Sequence, residues 1–410
     1  MIKEIIKKLF PGFILNWYYF LLAFLAALIY RFPSRKLKVI GVTGTNGKST
    51  TVELISKVLE EAGYQTGFLS SIKLKIKDEE KENMFKMTMP GRFEIHKFLR
   101  QALSAQCQYV ILEVTSEGIR QHRHRFIRFE AAVFTNLTPE HIESHGGFEN
   151  YRKAKGKLFQ IKKKIHIINI DDDNAQYFLN FPALKKYSYG LEKGDVNNKD
   201  LELNLQLIGE FNVYNSLAAI CLGLSQGISL LTTKKAVEKV KGVSGRMEQV
   251  VSQPFTVLVD YAVTPDSLER LYQTIKKVFE PKKIIAVFGS CGGGRDKWRR
   301  PALAQIAAKY CQKIIITNED PYDEDPNQIL LDIKAGLSET SFPENDFYQI
   351  LDRRKAIRKA LELAKKKDLV VITGKGSEPW ICLAKGKKMP WKDKRVVLEE
   401  FNLIKNKTDF

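Results

Sequence analysis

The chain has 410 residues, of which 44% are hydrophobic, and its formal net charge is +19. This length predicts two domains, or three if they are small, and the composition excludes a disordered or fibrous protein. The charge is compatible with nucleic acid, a membrane surface or anionic substrates; nucleic acid is the weakest of these, because the basic residues are dispersed and no aromatic–basic recognition motif occurs.

Residues 1–37 form an apolar N-terminal segment with helical patterning. Within it, residues 13–30 contain Asn16 as their only strongly polar side chain, and basic residues follow from Arg31 onward. This length lies at the lower limit for a spanning helix, so the segment is either a membrane anchor or interfacial hairpin, or a helix packed on the protein body. No small-residue cleavage site follows, which argues against a signal peptide.

The five cysteines include no Cys-x-x-Cys pair. They indicate free thiols in a reducing compartment and no cysteine-held metal. We therefore expect a cytoplasmic body, attached to the inner face of the membrane if the N-terminal segment is an anchor. We also expect a monomer.

The first strong pattern is an apolar strand at 37–42, followed by a glycine-rich turn and a helix at 48–61 that ends before Gly63. Glycines let backbone N–H groups face an anion, and the helix N-terminus adds its partial positive charge. Lys48 can reach the outer phosphates and Ser49 can hold Mg²⁺. Val42 stands where the usual P-loop has its first glycine, so this is a tighter Gly-x-x-Gly-Lys-Ser variant. The alternative is an ordinary glycine-rich turn.

Strands and helices alternate along the rest of the chain. Helices are predicted at 93–103 and 211–226, and a charged hairpin or loop at 71–82. The predicted strands are 64–69, 109–114, 131–137, 165–171, 256–261, 283–289, 313–318 and 369–373. This alternation predicts an α/β fold with a P-loop-type, mostly parallel sheet in a central domain (38–244) and a Rossmann-like C-terminal domain (245–410), with ligands at the carboxyl ends of the strands.

Three polar positions lie where such ligands would bind. Glu113 ends a buried strand and is either a Mg²⁺ ligand or a structural acid. His141 follows the next strand and, taken alone, is more typical of a structural histidine than of a metal ligand. Lys155, taken alone, belongs to a solvated basic helix.

Several short motifs recur in a fixed order: Gly44-Thr45-Asn46-Gly47-Lys48-Ser49-Thr50, Thr135-Asn136-Leu137 with His141, Ala154-Lys155, Asn169 with Asp171-Asp172, Phe211-Asn212-Val213-Tyr214-Asn215, Gly245-Arg246-Met247-Glu248, Asp260-Tyr261-Ala262, Gly292-Gly293-Gly294-Arg295-Asp296, and Gly374-Lys375-Gly376 with Glu378. Together they resemble the Mur ligase family, the ATP-dependent amide-bond synthetases of cell-wall peptide assembly. The similarity is greatest to the branch that forms the muramyl tripeptide, and it extends from residue 38 to about residue 400.

The resemblance implies that ATP phosphorylates an acceptor carboxylate, that an amino acid attacks the acyl phosphate, and that phosphate leaves. It implies catalytic roles for Lys48, Glu113, His141 and Lys155. It places ATP on Gly44, Thr45, Asn46, Gly47, Lys48, Ser49, Thr50, Asn212, Asn215, Arg246 and Asp260. It places Mg²⁺ on Ser49, Glu113, His141 and a carbamylated Lys155. The substrates, a muramyl-peptide precursor and an amino acid, would contact Thr88, Thr115, Gln121, Arg123, Arg295, Glu319, Asp320, Tyr322, Gly374 and Glu378.

Some positions depart from the family pattern. Val263, Glu117 and Ser377 replace usual polar residues, and Tyr322 stands where the diaminopimelate-adding branch has an arginine. Without that arginine, a second carboxylate on the incoming amino acid lacks an obvious partner. The acidic run at 319–325 favours a cationic side chain such as that of lysine; its alternative is a solvated helix N-cap.

The 37-residue apolar segment stands in place of the family's uridine-binding first domain. The acceptor is therefore either UDP-N-acetylmuramoyl-L-alanyl-D-glutamate or a lipid-linked form of it. A folate-like acceptor, a membrane-tethered nucleotide-binding module without chemistry, and a DNA-binding ATPase are the remaining alternatives.

Overall fold

The computed structural model describes residues 12–85, 87–160 and 165–406, and the chain forms two compact units. The first unit comprises Met1–Pro139, Gly147–Gln206 and Phe211–Val240, and the second comprises Glu140–Gly146, Leu207–Glu210 and Lys241–Phe410. The predicted domain limits at 38 and 245 stay a prediction. Residues 1–11 of the predicted N-terminal segment lie outside the described residues.

In the described part of the first unit, nine strands form one sheet, in the order β4-β3-β2-β5-β1-β6-β7-β8-β9. All pairings are parallel except those that join β2, β3 and β4. The strands are β1 (Lys38–Thr43), β2 (Thr66–Leu69), β3 (Lys73–Ile76), β4 (Glu79–Glu82), β5 (Tyr109–Glu113), β6 (Phe129–Phe134), β7 (Ile165–Asn169), β8 (Lys185–Gly190) and β9 (Val196–Asn197).

Strands such as β1 and β5 carry apolar side chains on both faces of the sheet. Helices therefore pack on both faces and bury these side chains. They are α1 (Gly12–Ile29), α2 (Lys48–Glu61), α3 (Arg92–Ser104), α4 (Ser116–Arg120), α6 (Phe148–Gly156), α7 (Ala175–Leu179), α8 (Asn198–Leu201), α9 (Glu210–Ser225) and α10 (Leu230–Glu238), while α5 (Ile142–His145) belongs to the second unit. The predicted bounds of α2 are confirmed, and Gly63 follows it with a φ of +85°, the left-handed stop expected there.

The N-terminal helix α1 packs on α3, and its small side chains Ala23, Ala26 and Ala27 are fully buried. Within the described residues, no helix combines the length and the hydropathy that crossing a membrane requires. The predicted spanning anchor is therefore not supported, and the predicted packed helix matches what α1 does.

In the second unit, six strands of the described chain form a sheet in the order β10-β11-β15-β12-β13-β14, in which only β10 is antiparallel to its neighbour. A separate hairpin pairs β16 with β17. The strands are β10 (Glu248–Val251), β11 (Thr256–Val259), β12 (Ile284–Phe288), β13 (Lys313–Ile316), β14 (Phe347–Gln349), β15 (Leu369–Ile372), β16 (Trp380–Cys382) and β17 (Lys388–Pro390).

The helices of the second sheet are α11 (Pro265–Phe279), α12 (Arg299–Tyr310), α13 (Pro326–Ala335), α14 (Arg353–Leu363) and α15 (Asp393–Lys405). A buried bidentate ion pair joins α14 to α15, because Arg353 donates to both carboxylate oxygens of Asp393 at 2.8 and 2.7 Å. The same guanidinium donates to the carbonyl of Thr373 at 2.8 Å. This ion pair therefore fixes the chain directly after β15, at the edge where the candidate residues lie.

The predicted mixed α/β fold, with two mostly parallel sheets, is confirmed. The sequence did not predict the short strands β8, β9, β10, β14, β16 and β17. These strands have two to six residues and are largely polar or half-exposed, so they lack the continuous apolar run that marks a buried strand.

Candidate active-site residues

The glycine-rich loop of the first unit is held by the residues that follow β6. Asn136 accepts a hydrogen bond from the Asn46 N–H through its Oδ1 (2.8 Å) and from the Thr45 N–H through its carbonyl (2.9 Å). Thr135 Oγ1 donates to the Asn46 carbonyl at 2.7 Å. A Cβ on Gly44 would overlap Thr135 Oγ1. Only glycine fits at position 44, which ties the loop to the end of the neighbouring strand.

The second glycine of the loop rests on α9. Gly47 has a φ of +80°, and a Cβ there would overlap Asn215 Oδ1. Asn215 also accepts from Thr51 Oγ1 (3.2 Å) and donates to Asn212 Oδ1 (3.0 Å). The two asparagines predicted to contact the nucleotide thus form a buried pair directly behind the loop.

Two lysine amines point at carbonyls of this loop. Lys48 Nζ donates to the carbonyl of Thr45 at 2.6 Å, and Lys155 Nζ donates to the carbonyl of Gly44 at 2.5 Å. Lys155 is 2% exposed and its amine also lies over the ring of Tyr151, 4.6 Å from the centroid. The interpretation of Lys155 as part of a solvated helix is therefore wrong.

Glu113, at the end of β5, is only 2% exposed. Its carboxylate accepts hydrogen bonds from three hydroxyl and amide donors. Ser49 Oγ donates to its Oε2 at 2.8 Å, and Ser71 donates to the carboxylate through both its N–H (2.8 Å) and its Oγ (2.8 and 2.9 Å). Thr88 Oγ1 lies 3.3 Å from Ser71 Oγ. One carboxylate beside the serine of a phosphate loop is an oxygen-donor set that suits Mg²⁺, which usually takes few protein ligands and completes its shell with phosphate oxygens and water.

No group of three or more His, Cys, Asp and Glu side chains that could hold a metal ion occurs among the described residues. His141 lies in the 140–146 segment of the second unit, with Nε2 3.6 Å from Glu140 Oε1. Its predicted joint ligation of Mg²⁺ with Glu113 stays a prediction.

The predicted acceptor residues surround α4 in the first unit. Thr115 is the N-cap of α4 and accepts from the Gly118 N–H at 3.1 Å. Arg123 donates to Gln121 Oε1 at 2.7 Å and to the carbonyl of Met89. The predicted guanidinium and its amide neighbour therefore contact each other, and Thr88, the residue before Met89, is hydrogen-bonded to Ser71 of the Glu113 cluster.

The predicted residues of the second unit lie after the carboxyl ends of four parallel strands, β11, β12, β13 and β15, where an α/β sheet binds its ligands. After β11, the buried Asp260 accepts from the N–H groups of Met247 and Ala262, both at 2.7 Å, and its burial raises its pKa. Arg246 lies over the ring of Tyr261, 4.5 Å from the centroid. Asp260 thus fixes the backbone next to Arg246.

Lys375, after β15, is fully buried and connects two of the predicted carboxylates. Its amine donates to Asp320 Oδ1 at 2.9 Å and to Glu378 Oε2. The Tyr261 hydroxyl donates to Glu378 Oε1 at 3.1 Å. Burial alone would lower the pKa of Lys375, but the two carboxylates outweigh it and raise this pKa, so the ammonium stays charged.

Glu319 contributes a carboxylate of a different kind to this edge. It is 4% exposed, and burial raises its pKa to about 7, although Arg299 opposes the shift. Gly374, with a φ of +104°, lies so close that a Cβ there would be 2.5 Å from Glu319 Oε2. Glycine at this position therefore lets the backbone after β15 pack directly against this carboxylate.

Tyr322 and Arg295 complete the predicted set. Tyr322 has a φ of +55°, donates its N–H to the carbonyl of Cys382 (3.0 Å), and places its ring against Gly293. Arg295, on the loop between β12 and α12, is exposed. The structure thus brings an arginine, a tyrosine and several carboxylates to one edge of the second sheet.

The acidic run at 319–325 divides in the structure. Glu319 and Asp320 are buried at the edge, whereas Asp323 accepts from the Lys385 N–H, Glu324 pairs with Arg300, and Asp325 caps α13. The helix-cap alternative is therefore right for Asp325. The acidic neighbourhood of a ligand would come from the first two residues of the run.

Sequence reasoning missed Ser71, which donates to Glu113 from both its N–H and its Oγ, whereas the predicted Ser49 donates from its Oγ alone. Its segment, 71–82, was interpreted as a charged hairpin or loop, and that hairpin forms as β3 and β4. Ser71 reaches Glu113 because it follows β2, the strand beside β5 in the sheet, and the local sequence carries no signal of that pairing.

Comparisons with known proteins agree with this arrangement. The profile described as "Mur ligase middle domain" matches residues 42–204, and that described as "Mur ligase, glutamate ligase domain" matches residues 245–376. UDP-N-acetylmuramoyl-L-alanyl-D-glutamate–2,6-diaminopimelate ligase of Syntrophomonas wolfei is 39% identical over 402 residues, covering 92% of this chain and 81% of the relative. The enzyme of the same name from Aquifex aeolicus is also 39% identical, covering 90% and 78%.

Solved structures give the same result for the fold. A UDP-N-acetylmuramoyl-L-alanyl-D-glutamate–2,6-diaminopimelate ligase is 29% identical with a TM-score of 0.58, covering 90% of this chain and 79% of that structure. A folylpolyglutamate synthase of Mycobacterium tuberculosis is 16% identical with a TM-score of 0.70, covering 85% and 91%, and shows a shared fold alone. On the strength of both domain matches and these relatives, the chain belongs to the Mur ligase family of ATP-dependent amide ligases.

Proposed function

We propose that this ligase adds a diamino acid with a cationic side chain to UDP-N-acetylmuramoyl-L-alanyl-D-glutamate or a close equivalent, by way of an acyl phosphate. The observation that carries the proposal is the chain of contacts from Ser49 through Glu113 and Ser71 to Thr88, which connects the phosphate loop to the predicted acceptor residues. Such a connection suits an enzyme that transfers a phosphoryl group from ATP to the acceptor itself.

In the first step an acceptor carboxylate oxygen attacks the γ-phosphorus and the bond to ADP breaks. The loop N–H groups and the Lys48 ammonium stabilise the charge that collects on the transferred phosphoryl group. In the second step the amine nitrogen attacks the acyl carbon, the amine loses a proton, and phosphate leaves with the oxygen that came from the acceptor. Arg123 would hold the acceptor by pairing with the acceptor's anionic groups.

Ser49 and Glu113 would hold Mg²⁺, which when bound neutralises the phosphate charge that otherwise repels the acceptor carboxylate. Lys155 matches the lysine that the family carbamylates, and its buried position beneath Gly44 supports the same role here, because it holds the amine next to the phosphate loop. A Lys155 carbamate would supply an anion close to the loop. Mass spectrometry after trapping of the carbamate tests this assignment.

The proposed amino acid follows from the second unit. The relatives' names specify 2,6-diaminopimelate, which has a carboxylate at its far end, whereas lysine ends in an ammonium alone. Glu319 places a carboxylate against Gly374 at this edge, and Tyr322 offers a hydroxyl where that branch has a guanidinium. These residues favour a cationic end group over an anionic one, with Arg295 left for the α-carboxylate and Glu378 for the amine.

The test is phosphate release with ATP, Mg²⁺ and UDP-N-acetylmuramoyl-L-alanyl-D-glutamate, with lysine, ornithine and diaminopimelate supplied separately and the products weighed by mass spectrometry. We expect release that requires both acceptor and amino acid, and a product that contains lysine. Use of diaminopimelate alone would contradict the amino-acid assignment, and release that ignores the acceptor would contradict the ligase assignment. Sedimentation of the same sample tests the predicted monomer.

A second candidate acceptor is the same muramyl dipeptide carried on a lipid. The helix α1 contains no charged residue within Gly12–Ile29. Several of its large apolar side chains are exposed, among them Phe13, Trp17, Leu21, Leu25 and Leu28. Exposed apolar patches of this kind mark surfaces that bind apolar partners. Turnover of the lipid-linked dipeptide in detergent, and none of the UDP-linked form, would favour this candidate; the reverse result would exclude it.

A further inference from the structure

The helix α1 contacts the short loop that carries two predicted acceptor residues, Gln121 and Arg123. This loop, residues 121–126, follows α4. His122 Nε2 is hydrogen-bonded to Asn16 Oδ1 at 2.5 Å. The ring of Phe126 lies against two rings of the helix, with centroids 5.1 Å from Phe20 and 5.4 Å from Phe24. An apolar helix thus contacts the loop through both polar and aromatic side chains.

Two residues of this loop have a positive φ, a backbone conformation that residues other than glycine rarely adopt. His122 has a φ of +57° and Phe126 a φ of +61°. Such a conformation is strained and persists only where the surrounding contacts enforce it. The two strained residues are the same two whose side chains α1 contacts, since Phe20 also lies 6.2 Å from the His122 ring. The helix is therefore well placed to supply the enforcing contacts.

Arg92 makes a second connection between the helix and the loop. Its Nε donates to the carbonyl of Tyr19 at 3.1 Å, its Nη2 donates to the carbonyl of Gln121, and its guanidinium lies 4.5 Å from the centre of the Tyr19 ring. Burial lowers the pKa of Arg92 to about 10, and the nearby Arg123 adds to the shift, but the group stays charged at neutral pH. Two cations are thus held close together beside the loop, an arrangement that an anionic acceptor would stabilise.

We propose that α1 is a positioning element of the acceptor site. Asn16 and Phe20 hold the 121–126 loop in its strained conformation, and this conformation aims Gln121 and Arg123 at the acceptor. The inference rests on the proposed function, because it takes Arg123 as the partner of the acceptor's anionic groups. It predicts that truncations on the inner face of α1 weaken acceptor binding without changing ATP binding.

The test compares Phe20→Ala and Asn16→Ala with Leu231→Ala, which truncates an apolar side chain that is 78% exposed on α10, away from the acceptor residues and from α1. We expect the acceptor KM to rise about tenfold in Phe20→Ala, as the loss of about 1.4 kcal/mol of enforcing contacts implies, with kcat and the KM for ATP changed less than twofold. Leu231→Ala should match the wild type, and Phe20→Tyr, which retains the ring, should restore the acceptor KM. An unchanged acceptor KM in a folded Phe20→Ala protein would overturn the inference.

Hydrogen exchange separates this inference from the ligase assignment. The amides of His122, Arg123 and Arg125 all donate to nearby carbonyls, so their exchange reports on the loop whether or not the protein is active. We expect these amides to exchange at least several-fold faster in Phe20→Ala and at the wild-type rate in Leu231→Ala. If the wild type releases no acceptor-dependent phosphate, the proposed function fails; if loop exchange is the same in Phe20→Ala and wild type, the positioning role fails.

Discussion

The phosphate loop of the first unit is formed mainly by glycine backbone. In the second unit, the edge of the sheet at the carboxyl ends of its parallel strands is formed by buried charged side chains. Around Gly44 and Gly47, the space for any side chain is already filled by Thr135 and Asn215. At the other edge, Glu319, Asp320 and Lys375 are all nearly inaccessible to water, yet all ionisable.

The difference shows how one chain can keep its chemistry while its specificity varies. A backbone cradle recognises phosphate whatever the remaining substrate is, and any added side chain breaks it. Buried charges discriminate between ligands by charge, because an unpaired charge in such a place is costly. Substitutions in the loop should therefore abolish turnover. Substitutions at the sheet edge of the second unit should instead change which amino acid is used or the rate at which it is used.

The largest effect is expected for Lys48→Ala. Loss of the ammonium removes the main side-chain cation of the loop, so acceptor-dependent phosphate release should fall by about 10²–10³-fold, as for the removal of one preorganised donor. Phosphate assays and circular dichroism check this, with the exposed Lys57→Ala on the same helix as control. Wild-type turnover in Lys48→Ala would remove the loop from the mechanism.

The second effect concerns the pH dependence of stability, through Glu319. Its pKa is about 7 in the folded protein against an ordinary value of 4.5, so the folded state binds the proton more tightly. The free energy of unfolding should therefore fall as the pH rises from about 4.5 to about 7 and then level off. Glu319→Gln removes this penalty.

The Glu319→Gln protein should exceed the wild type in stability above pH 7 by up to about 3 kcal/mol, at about 1.4 kcal/mol per pH unit, and should match it near pH 4. Urea unfolding at a series of pH values measures the difference, with the exposed Glu362→Gln as control. If the free energy of unfolding of Glu319→Gln depended on pH as in the wild type, Glu319 would not be a buried acid with a raised pKa.

The third effect concerns specificity, through Tyr322→Arg. A guanidinium there would pair with a far carboxylate, so the ratio of kcat/KM for diaminopimelate to that for lysine should rise about tenfold or more. Tyr322→Phe, which retains the ring against Gly293, is the control and should leave the ratio within about threefold, since it removes one hydroxyl. An unchanged ratio in Tyr322→Arg would place the specificity elsewhere.

The smallest effect is expected for Ser71→Ala. Glu113 keeps Ser49 but loses one hydroxyl donor, and a single hydrogen bond contributes about 0.5–1.5 kcal/mol. The Mg²⁺ concentration that gives half-maximal activity should rise about three- to tenfold while saturated turnover changes little. A magnesium titration measures it, with the exposed Ser338→Ala as control. A fall in saturated turnover with no shift in the titration would argue against a metal role for Glu113.

Local patterns predicted the first unit better than the second. The helix Lys48–Glu61 and the loop before it follow from glycines, a lysine and an apolar run that are adjacent in sequence. The partner of Glu113 could not be predicted in this way, because Ser71 reaches it only through the parallel pairing of β2 with β5. Sequence adjacency does not reveal which strands become neighbours.

In the second unit, the sequence indicated an acidic run but not which acids would be buried. Glu319 faces Gly374 across two strand ends that are far apart in sequence, while Asp325 caps a helix a few residues later. Their different roles depend on burial, which determines pKa and is set by tertiary packing. The packing of α1 could not be predicted either, because an apolar stretch of 18 residues fits a membrane and a protein surface equally well.

The measurement that tests the central claim most directly is oxygen transfer from the acceptor to phosphate. The wild-type enzyme would be given ATP, Mg²⁺, lysine and an acceptor whose D-glutamyl carboxylates carry ¹⁸O, and the released phosphate would be analysed by mass spectrometry. An acyl-phosphate route predicts one ¹⁸O atom in each phosphate. Phosphate that is released together with the amide product but carries no ¹⁸O would contradict the account.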